Sequence, residues 1–130
     1  MKLTRTVHGH TITAELVKLD KGWDVSVFGG CSTHVGAVTF AAPGEPTETL
    51  ERFHHRDSVV SIRWAVTLSK VLHAPVCVRC GIHYNDATRE QISEILTCCD
   101  EMLFHFESLS IESSKKIGLI ARIESFETVS

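Results

Sequence analysis

The spacing of the apolar residues changes once along this chain of 130 residues, and that change limits the folds it can adopt. Before residue 42 apolar and polar residues alternate, which is typical of strands with one buried face. From Asp57 onward, outside one short strand-like stretch, apolar residues recur at steps of three and four, which is typical of amphipathic helices. Strands followed by helices predict an α+β layer structure.

Four strands are predicted in the first forty residues. The alternating stretches cover residues 3–7, 12–16, 23–28 and 35–41, and glycine-containing turns separate them. Short connections of this kind join antiparallel neighbours. We therefore expect these four strands to form a meander.

Two helices and a fifth strand follow. The first helix is predicted from Asp57, a suitable N-cap residue, and it has to end before Pro75. Residues 76–83 are rich in β-branched side chains and predict a strand. The capping box that runs from Thr88 to Gln91 opens a second helix, whose apolar face continues to Phe106. The order β-β-β-β-α-β-α predicts a mostly antiparallel sheet with both amphipathic helices packed on one face.

The remaining segments are less regular. Residues 43–46 predict a loop, and the polar stretch that ends in His54 and His55 is expected to be an excursion or a short helix. Residues 107–116 are rich in serine and predict a linker. The apolar stretch 117–123 is interpreted as an additional C-terminal strand that pairs with the sheet edge or with a partner chain. The length predicts a single domain over residues 1–130.

Charge and composition exclude several classes of function. Thirteen basic residues against 16 acidic ones give a net charge of −3, and no basic stripe is present, so we do not expect a nucleic-acid partner. No apolar stretch approaches the roughly 20 residues that span a bilayer, and the first residues do not resemble a signal peptide. We therefore expect a cytoplasmic protein without a membrane partner, and its five cysteines are expected to be reduced thiols.

The cysteine and histidine patterns do not favour a metal site. Cys77 and Cys80 are spaced as in zinc sites, but residues three apart on a strand point to opposite faces. The adjacent pair Cys98 and Cys99 diverges on a helix, so buried structural cysteines are the better interpretation. The eight histidines show no helical pairing, and no nucleophile motif surrounds Ser32. We expect no metal ligand and no catalytic residue.

The segment 29–36 is the first candidate for binding. Gly29 and Gly30 allow consecutive backbone N–H groups to converge on an anion, while Ser32 and His34 add donors and Gly36 permits close approach. This combination suits a phosphate group. The alternative is a tight strand connection in which the glycines only provide positive φ angles.

The second candidate is the segment 81–88, in which a strand ends at His83 and leads directly into the capped helix. Ligands are often held where strand ends lie beside helix N-termini. Tyr84 is suited to stacking on a planar ring, and Asn85 offers both a donor and an acceptor. The alternative is a turn in which Asn85 and Asp86 merely bend and cap the chain.

The two candidate segments together resemble a known family. Gly29-Gly30 with His34-Val35-Gly36, followed after a helix by Gly81-Ile82-His83 and Asn85, resembles the LpdD-like family. Its members are small D subunits associated with gallate-type and hydroxybenzoate-type decarboxylases. The resemblance covers residues 3–106 and does not extend to the segment 107–130.

The resemblance implies a function and a fold. It implies a non-catalytic chaperone that binds prenylated FMN, or FMN, and delivers it to the catalytic subunit of a UbiD-type decarboxylase. The implied fold is similar to that of proteasome assembly chaperones, and a homo-oligomer, a dimer, is expected. The expected cofactor-binding residues are Gly29, Gly30, Ser32, His34, Gly36, His83, Tyr84 and Asn85.

Roles within this set follow from the chemistry of the implied ligand. The ribityl phosphate would lie against the Gly29-Gly30 backbone and Ser32, with His34 or His83 supplying a charge-assisted hydrogen bond. Tyr84 or Trp23 would shield the flavin ring from oxygen. Two other functions stay open at this point. One is an interaction module without a ligand, and the other is a small metal-dependent enzyme that uses His34 and His83.

Overall fold

The computed structural model describes residues 1–52 and 56–129, with side chains as far as residue 123. It contains six strands and two helices. In chain order they are β1 (Lys2–Val7), β2 (His10–Leu19), β3 (Gly22–Gly30), β4 (Ala37–Ala41), β5 (Glu48–Glu51), α1 (Ser58–Leu72), β6 (Val76–His83) and α2 (Arg89–Val129). The predicted α+β class is confirmed, and the strand β5 is an addition to the predicted order. Part of the stretch expected to be an excursion or a short helix forms β5 instead, and its end at His54 and His55 lies outside the described residues.

The six strands form one mixed sheet in the order β1-β2-β3-β6-β4-β5. Four of the five pairings are antiparallel, and the central pairing of β3 with β6 is parallel. The first three strands form the expected meander. The expectation that β4 pairs with β3 as the fourth strand of this meander is wrong, because β6 lies between β3 and β4. The connection from β4 through β5 and α1 brings the chain back to this central position.

One face of the sheet carries the hydrophobic core. The core combines alternate residues of the strands with the inner faces of both helices, and Trp64 of α1 contacts Phe106 of α2 with ring centroids 6.0 Å apart. The sheet residues that belong to it are Ile12, Ala14, Leu16, Val25, Val27, Ala41, Val76, Val78 and Cys80. The prediction that both helices pack on one face is therefore confirmed.

The opposite face of the sheet, which we call the open face, carries the other set of alternating residues. Val17, Phe40 and Leu50 lie on it and are 43%, 45% and 80% exposed. Polar groups separate them, including the exposed pair of Asp24 and Arg79, whose Oδ1 and Nε atoms are 3.3 Å apart. The face is therefore an uncovered surface of mixed polarity.

The helix ends follow local signals in the sequence. The capping box of α2 is confirmed, because the Thr88 N–H donates to Gln91 Oε1 at 2.9 Å and the Gln91 N–H donates to Thr88 Oγ1 at 3.1 Å. Helix α1 ends at His73, which adopts the left-handed conformation with φ of 50°, two residues before Pro75. Asp57 occupies the N-cap position of α1, but its side chain makes no capping hydrogen bond.

The C-terminal prediction is wrong. Residues 107–116 form no linker and residues 117–123 form no strand, because α2 continues through both as one helix. Serine is tolerated inside this helix where its hydroxyl bonds to the preceding turn, as Ser110 Oγ does to the Phe106 carbonyl at 2.9 Å. Within the described residues, neither helix has a stretch long and apolar enough to cross a membrane.

Candidate functional site

The candidate site lies at the edge of the sheet where β3 and β6 end. Because these strands are parallel, their carboxyl ends meet at the same edge, and Gly30 pairs with His83 at the last register position. Two segments leave the sheet here. We call residues 31–36, which lead to β4, the connecting loop, and residues 84–88 lead into α2. The topology thus brings both sequence-predicted segments together.

Glycines allow the connecting loop to lie close to β6. Gly30 has φ of +91°, and a Cβ there would overlap the His83 carbonyl oxygen. Gly81 is buried beneath the loop, since a Cβ at this position would overlap the carbonyl oxygen of His34. The loop is tied down at both ends, where the Cys31 N–H donates to the His83 carbonyl at 2.6 Å and the Gly36 N–H donates to the Cys80 carbonyl at 2.9 Å.

The packing of the backbone explains why glycine occupies positions 29 and 30. A Cβ on Gly29 would overlap the carbonyl oxygen of Thr11 on the neighbouring strand. The tight strand connection, which was the alternative interpretation, accounts for both glycines without a ligand. The exposed hydroxyl groups of this segment lie two and three residues after Gly30, at Ser32 and Thr33.

Asp57 connects the connecting loop, β6 and α1. It is 9% exposed, and its Oδ1 accepts a hydrogen bond from the Ile82 N–H at 3.0 Å. Its Oδ2 lies 3.0 Å from His34 Nε2, so an ionised carboxylate accepts the proton of that nitrogen. A Cβ at Gly36 would overlap this carboxylate, which explains why glycine suits that position. The side chain that sequence reasoning assigned to helix capping therefore orients a candidate binding residue.

Two histidines lie side by side at the edge. The rings of His34 and His83 are in edge-to-face contact with centroids 6.2 Å apart. His34 is 18% exposed at its side chain, whereas His83 is exposed and its Nε2 lies 3.0 Å from Asn85 Oδ1. The arrangement offers two oriented imidazoles to a ligand, each held by a neighbouring polar side chain.

A third histidine and a thiol complete the edge, and sequence reasoning assigned neither to it. His10 Nε2 lies 3.4 Å from the sulfur of Cys31, and the Asn85 N–H points to the same sulfur at 3.5 Å. Cys31 is the exposed cysteine of the five, all of which are free thiols. The antiparallel pairing of β2 with β3, in which Ile12 lies opposite Gly29, places His10 beside Cys31.

Tyr84 and Trp23 differ in their relation to the site. The Tyr84 hydroxyl donates to the Val7 carbonyl at 2.9 Å, and its ring meets the His10 ring edge to face at 5.8 Å. Burial, as the largest cause, raises the pKa of this hydroxyl. Trp23 lies at the start of β3, at the opposite end of the sheet, so its proposed role in shielding a ligand at this edge is wrong.

The cysteines behind the edge are structural. Burial raises the pKa of Cys80 far above that of an ordinary thiol, and burial raises the pKa of Cys99 to about 12. Both thiols therefore stay protonated and inert at neutral pH. Cys77 and Cys80 point to opposite faces of β6, as predicted. Within residues 1–52 and 56–129, no group of three or more His, Cys, Asp or Glu side chains is arranged to hold a metal ion.

A concave surface lies at the other end of the molecule. A cavity of about 640 Å³ lies between the sheet end that carries Trp23 and the C-terminal part of α2. The polar groups of the candidate edge are supplied by strand ends, such as His83, and by the segments that follow them. We assign the candidate site from its chemistry and not from cavity size, because oriented imidazoles and hydroxyls are what an anionic group requires.

Comparison with known proteins identifies the family. Residues 6–109 match the family model described as a prenylated flavin chaperone LpdD-like domain. Protein LpdD of Lactiplantibacillus plantarum is 30% identical over an alignment of 89 residues. The alignment covers 62% of this chain and 65% of that protein. The chain thus spans slightly less than two thirds of that relative's length.

A solved structure described as a novel chaperone complex for yeast 20S proteasome assembly is also similar. It shares 12% sequence identity, with a TM-score of 0.49 over 83% of this chain and 95% of that one. The family match alone covers both candidate segments and every element from β2 to β6. The matched family consists of chaperones, which are accessory proteins without catalytic activity. The chain belongs to the LpdD-like family of prenylated flavin chaperones.

Proposed function

We propose that this chaperone binds prenylated FMN at the edge formed by β3 and β6 and delivers it to the catalytic subunit of a UbiD-type aromatic acid decarboxylase. The observation that carries the proposal is the family match over residues 6–109, which includes the whole edge. The proposal includes a homodimer in which each subunit holds one cofactor. Unprenylated FMN is the expected weaker ligand, because it shares the phosphate and most of the ring.

Phosphate recognition is assigned to the connecting loop and the two histidines. Ser32 and Thr33 are exposed and carry hydroxyl donors, and His83 is exposed beside them in the fold. His34 is oriented by Asp57, whose Oδ2 lies 3.0 Å from the His34 Nε2 atom. A dianionic phosphate accepts short, strong hydrogen bonds from such groups. Gly29, Gly30 and Gly36 contribute by letting the backbone segments approach one another.

Ring recognition is assigned to the segment after β6. Asn85 has a side-chain amide that is exposed and complements the heteroatoms of a flavin. Tyr84 is fixed by its hydrogen bond to Val7, so its ring forms a rigid wall and not a mobile lid. An exposed site at the sheet edge suits a carrier, because the cofactor has to leave again for the acceptor enzyme.

The first test is cofactor loading. The protein is produced together with a prenyl-FMN synthase, purified without oxygen, and examined by visible absorbance and mass spectrometry. We expect near-stoichiometric prenylated FMN and transfer to an apo decarboxylase, measured as recovered decarboxylation. Ligand-free protein, under conditions that load a known acceptor, would contradict the proposal.

Matched histidine variants test the site itself. We expect His34→Gln and His83→Gln each to weaken cofactor binding about tenfold, equivalent to about 1.4 kcal/mol. Thermal stability should change little in His83→Gln, whereas His34→Gln should lower it because His34 contacts the buried Asp57 carboxylate. His105→Gln is the control, because His105 is an exposed histidine on α2 that lies outside the edge. Equal affinity in all three variants would refute the site assignment while leaving the cofactor assignment intact.

An interaction module without a small-molecule ligand is the second candidate. The open face favours it, because Phe40 and Leu50 are 45% and 80% exposed on a surface large enough for a protein partner. This function predicts that the ligand-free chain binds the decarboxylase as tightly as the loaded chain does. Isothermal titration of the two forms against the apo enzyme distinguishes the candidates.

A further inference from the structure

A lysine occupies a core-facing position at the end of the sheet opposite to the candidate edge. The alternate residues 12, 14 and 16 of β2 are buried in the core, and the same alternation places Lys18 on this face. In the register of β2 against β3, Lys18 lies directly opposite Trp23, which packs against the core. On its helix side the sheet therefore ends in an exposed cation beside an aromatic ring.

The same lysine and tryptophan line the cavity of about 640 Å³ at this end of the molecule, which we call the cleft. Its volume lies within the range of roughly 300–1,000 Å³ that is typical of small-molecule sites. Its apolar walls are supplied by Leu19, Trp23 and Leu72 and, from α2, by Leu109 and Ile117. Leu19 and Ile117 are 51% and 67% exposed, so the apolar part of a ligand would cover surface that now faces solvent.

The backbone beneath the Trp23 ring is held in place. The Trp23 N–H donates to the Pro75 carbonyl at 2.9 Å. Gly22 has φ of +117°, and a Cβ there would lie 2.7 Å from the same carbonyl oxygen. The turn between β2 and β3 therefore lies tightly against the connection between α1 and β6. A fixed wall of this kind lowers the entropic cost of binding a ligand.

The charge of the cleft is opposite to that of the chain as a whole. Lys18 and Lys21 line it against one carboxylate, that of Asp20, which leaves one positive charge where the whole chain carries −3. Within residues 1–52 and 56–123, neither lysine forms an ion pair with a carboxylate. Ser113 and Ser114 of α2 add exposed hydroxyl groups to the lining. The cleft thus combines apolar walls with groups that attract an anion.

We propose that the cleft binds an aromatic carboxylate, with its ring against Trp23 and its carboxylate beside Lys18. Side chains directly opposite each other on antiparallel strands have Cβ atoms only about 4.5–5.5 Å apart. The anionic group of the ligand therefore has to be attached closely to its ring. A surplus of one positive charge matches a carboxylate, which is a monoanion, better than a dianionic phosphate.

The cleft is separate from the candidate edge. Gly22 and Gly30 are the first and last residues of β3, and the eight steps between them span roughly 26 Å. A ligand in the cleft is therefore out of reach of His34 and His83. The inference adds a second binding site to the chain and goes beyond the proposed function.

The first test is titration of the full chain with benzoate, followed by NMR of the indole N–H signals. The chain has two tryptophans, and Trp64 is fully buried in the core. We expect benzoate to shift the Trp23 signal with a Kd on the order of 1 mM, as suits so small a ligand, and to leave the Trp64 signal in place. Benzamide, which keeps the ring without the charge, should bind about fivefold more weakly. Acetate, which keeps the charge without the ring, should cause no saturable shift.

Lys18→Met tests the charge contact on the protein side. This substitution keeps most of the side-chain length and should weaken benzoate binding about fivefold. Lys70→Met is the matched control, because Lys70 is an exposed lysine of α1 that does not line the cleft. Both lysines are exposed, so circular dichroism should show an intact fold in each variant. An unshifted Trp23 signal, or equal affinity for benzoate in the two variants, would overturn the proposal.

Two measurements separate this inference from the proposed function. His83→Gln should bind benzoate as tightly as the unaltered chain, and FMN should leave the benzoate-induced shift of Trp23 unchanged. Displacement of benzoate by FMN would overturn the inference, because the cleft would then be the flavin site. Benzoate binding by a chain that loads no cofactor supports the inference and contradicts only the proposed function.

Discussion

Asp57→Ala is the substitution that tests the construction of the site most directly. The side chain is 9% exposed and joins three parts of the chain that are distant in sequence, through the Ile82 N–H at 3.0 Å and His34 Nε2 at 3.0 Å. Alanine removes both acceptors and leaves the Ile82 N–H without this partner. It also frees space beside Gly36 that a carboxylate now fills.

The expected loss is worked from these two contacts. A hydrogen bond to an ionised group contributes about 1.5–3 kcal/mol, and a buried group left unsatisfied costs about 1–3 kcal/mol. Because the contacts share one carboxylate and are not additive, we expect the free energy of unfolding to fall by about 3 kcal/mol. For a domain of this size the melting temperature should fall by about 10 °C.

Asp57→Asn separates the two contacts. The amide oxygen still accepts from Ile82, but the remaining amide group cannot accept the His34 proton. We expect a smaller loss of about 1 kcal/mol together with weaker cofactor binding, since His34 is no longer oriented.

The assay is urea denaturation followed by circular dichroism, with Asp24→Ala as the control. Asp24 pairs with Arg79 on the open face, where side-chain exposures of 41% and 45% limit the pair to less than about 1 kcal/mol. If Asp57→Ala unfolds at the same urea concentration as Asp24→Ala, the carboxylate does not hold the connecting loop and our account of the site is wrong.

Three further predictions concern the core and the loop. Gly81→Ala should displace the connecting loop and reduce cofactor binding, which ligand titration measures. The matched variant Gly118→Ala has no atom within 4 Å of the new Cβ and should stabilise α2 by about 0.5–1 kcal/mol, which calorimetry measures. Since burial raises the pKa of Cys80 and of Cys99, to about 12 for the latter, only the unfolded chain releases these protons between pH 9 and pH 12. The free energy of unfolding should therefore fall as pH rises above 9, and Cys99→Ala should flatten this dependence in denaturation curves. Trp64→Phe should change the free energy of unfolding by less than about 1 kcal/mol, since the lost ring volume is offset by removal of a buried Nε1 donor that has no hydrogen-bond partner among the described residues.

The strands and helices whose apolar residues recur at a regular spacing were predictable from the sequence. Strands β1 to β4, helix α1, strand β6 and the start of α2 lie close to their predicted positions, because alternation, Pro75 and the capping box at Thr88 are local signals. The position of β6 between β3 and β4 was not predictable, because strand order depends on how the chain returns after α1. Residues 107–123 were misassigned because their isoleucines favour strands and their serines favour loops, although these residues continue helix α2.

The site was only partly predictable. The motif segments that contain His34 and His83 were found, since glycines beside polar residues mark irregular strand ends. The role of Asp57 was hidden, because a carboxylate before a helix has an ordinary explanation as an N-cap. His10 and Cys31 were not assigned to the site, because their contact depends on the register of β2 against β3, which the sequence pattern does not specify.

The parallel pairing of β3 with β6 also determines when the site can form during folding. Ser26 pairs with Arg79, so the central ladder joins residues more than 50 positions apart, while β1, β2 and β3 can pair locally. Contacts of such long range close late, because the intervening chain has to be ordered first. During synthesis the edge of β3 therefore stays unpaired until β6 has emerged, and the candidate site cannot form before that pairing is made.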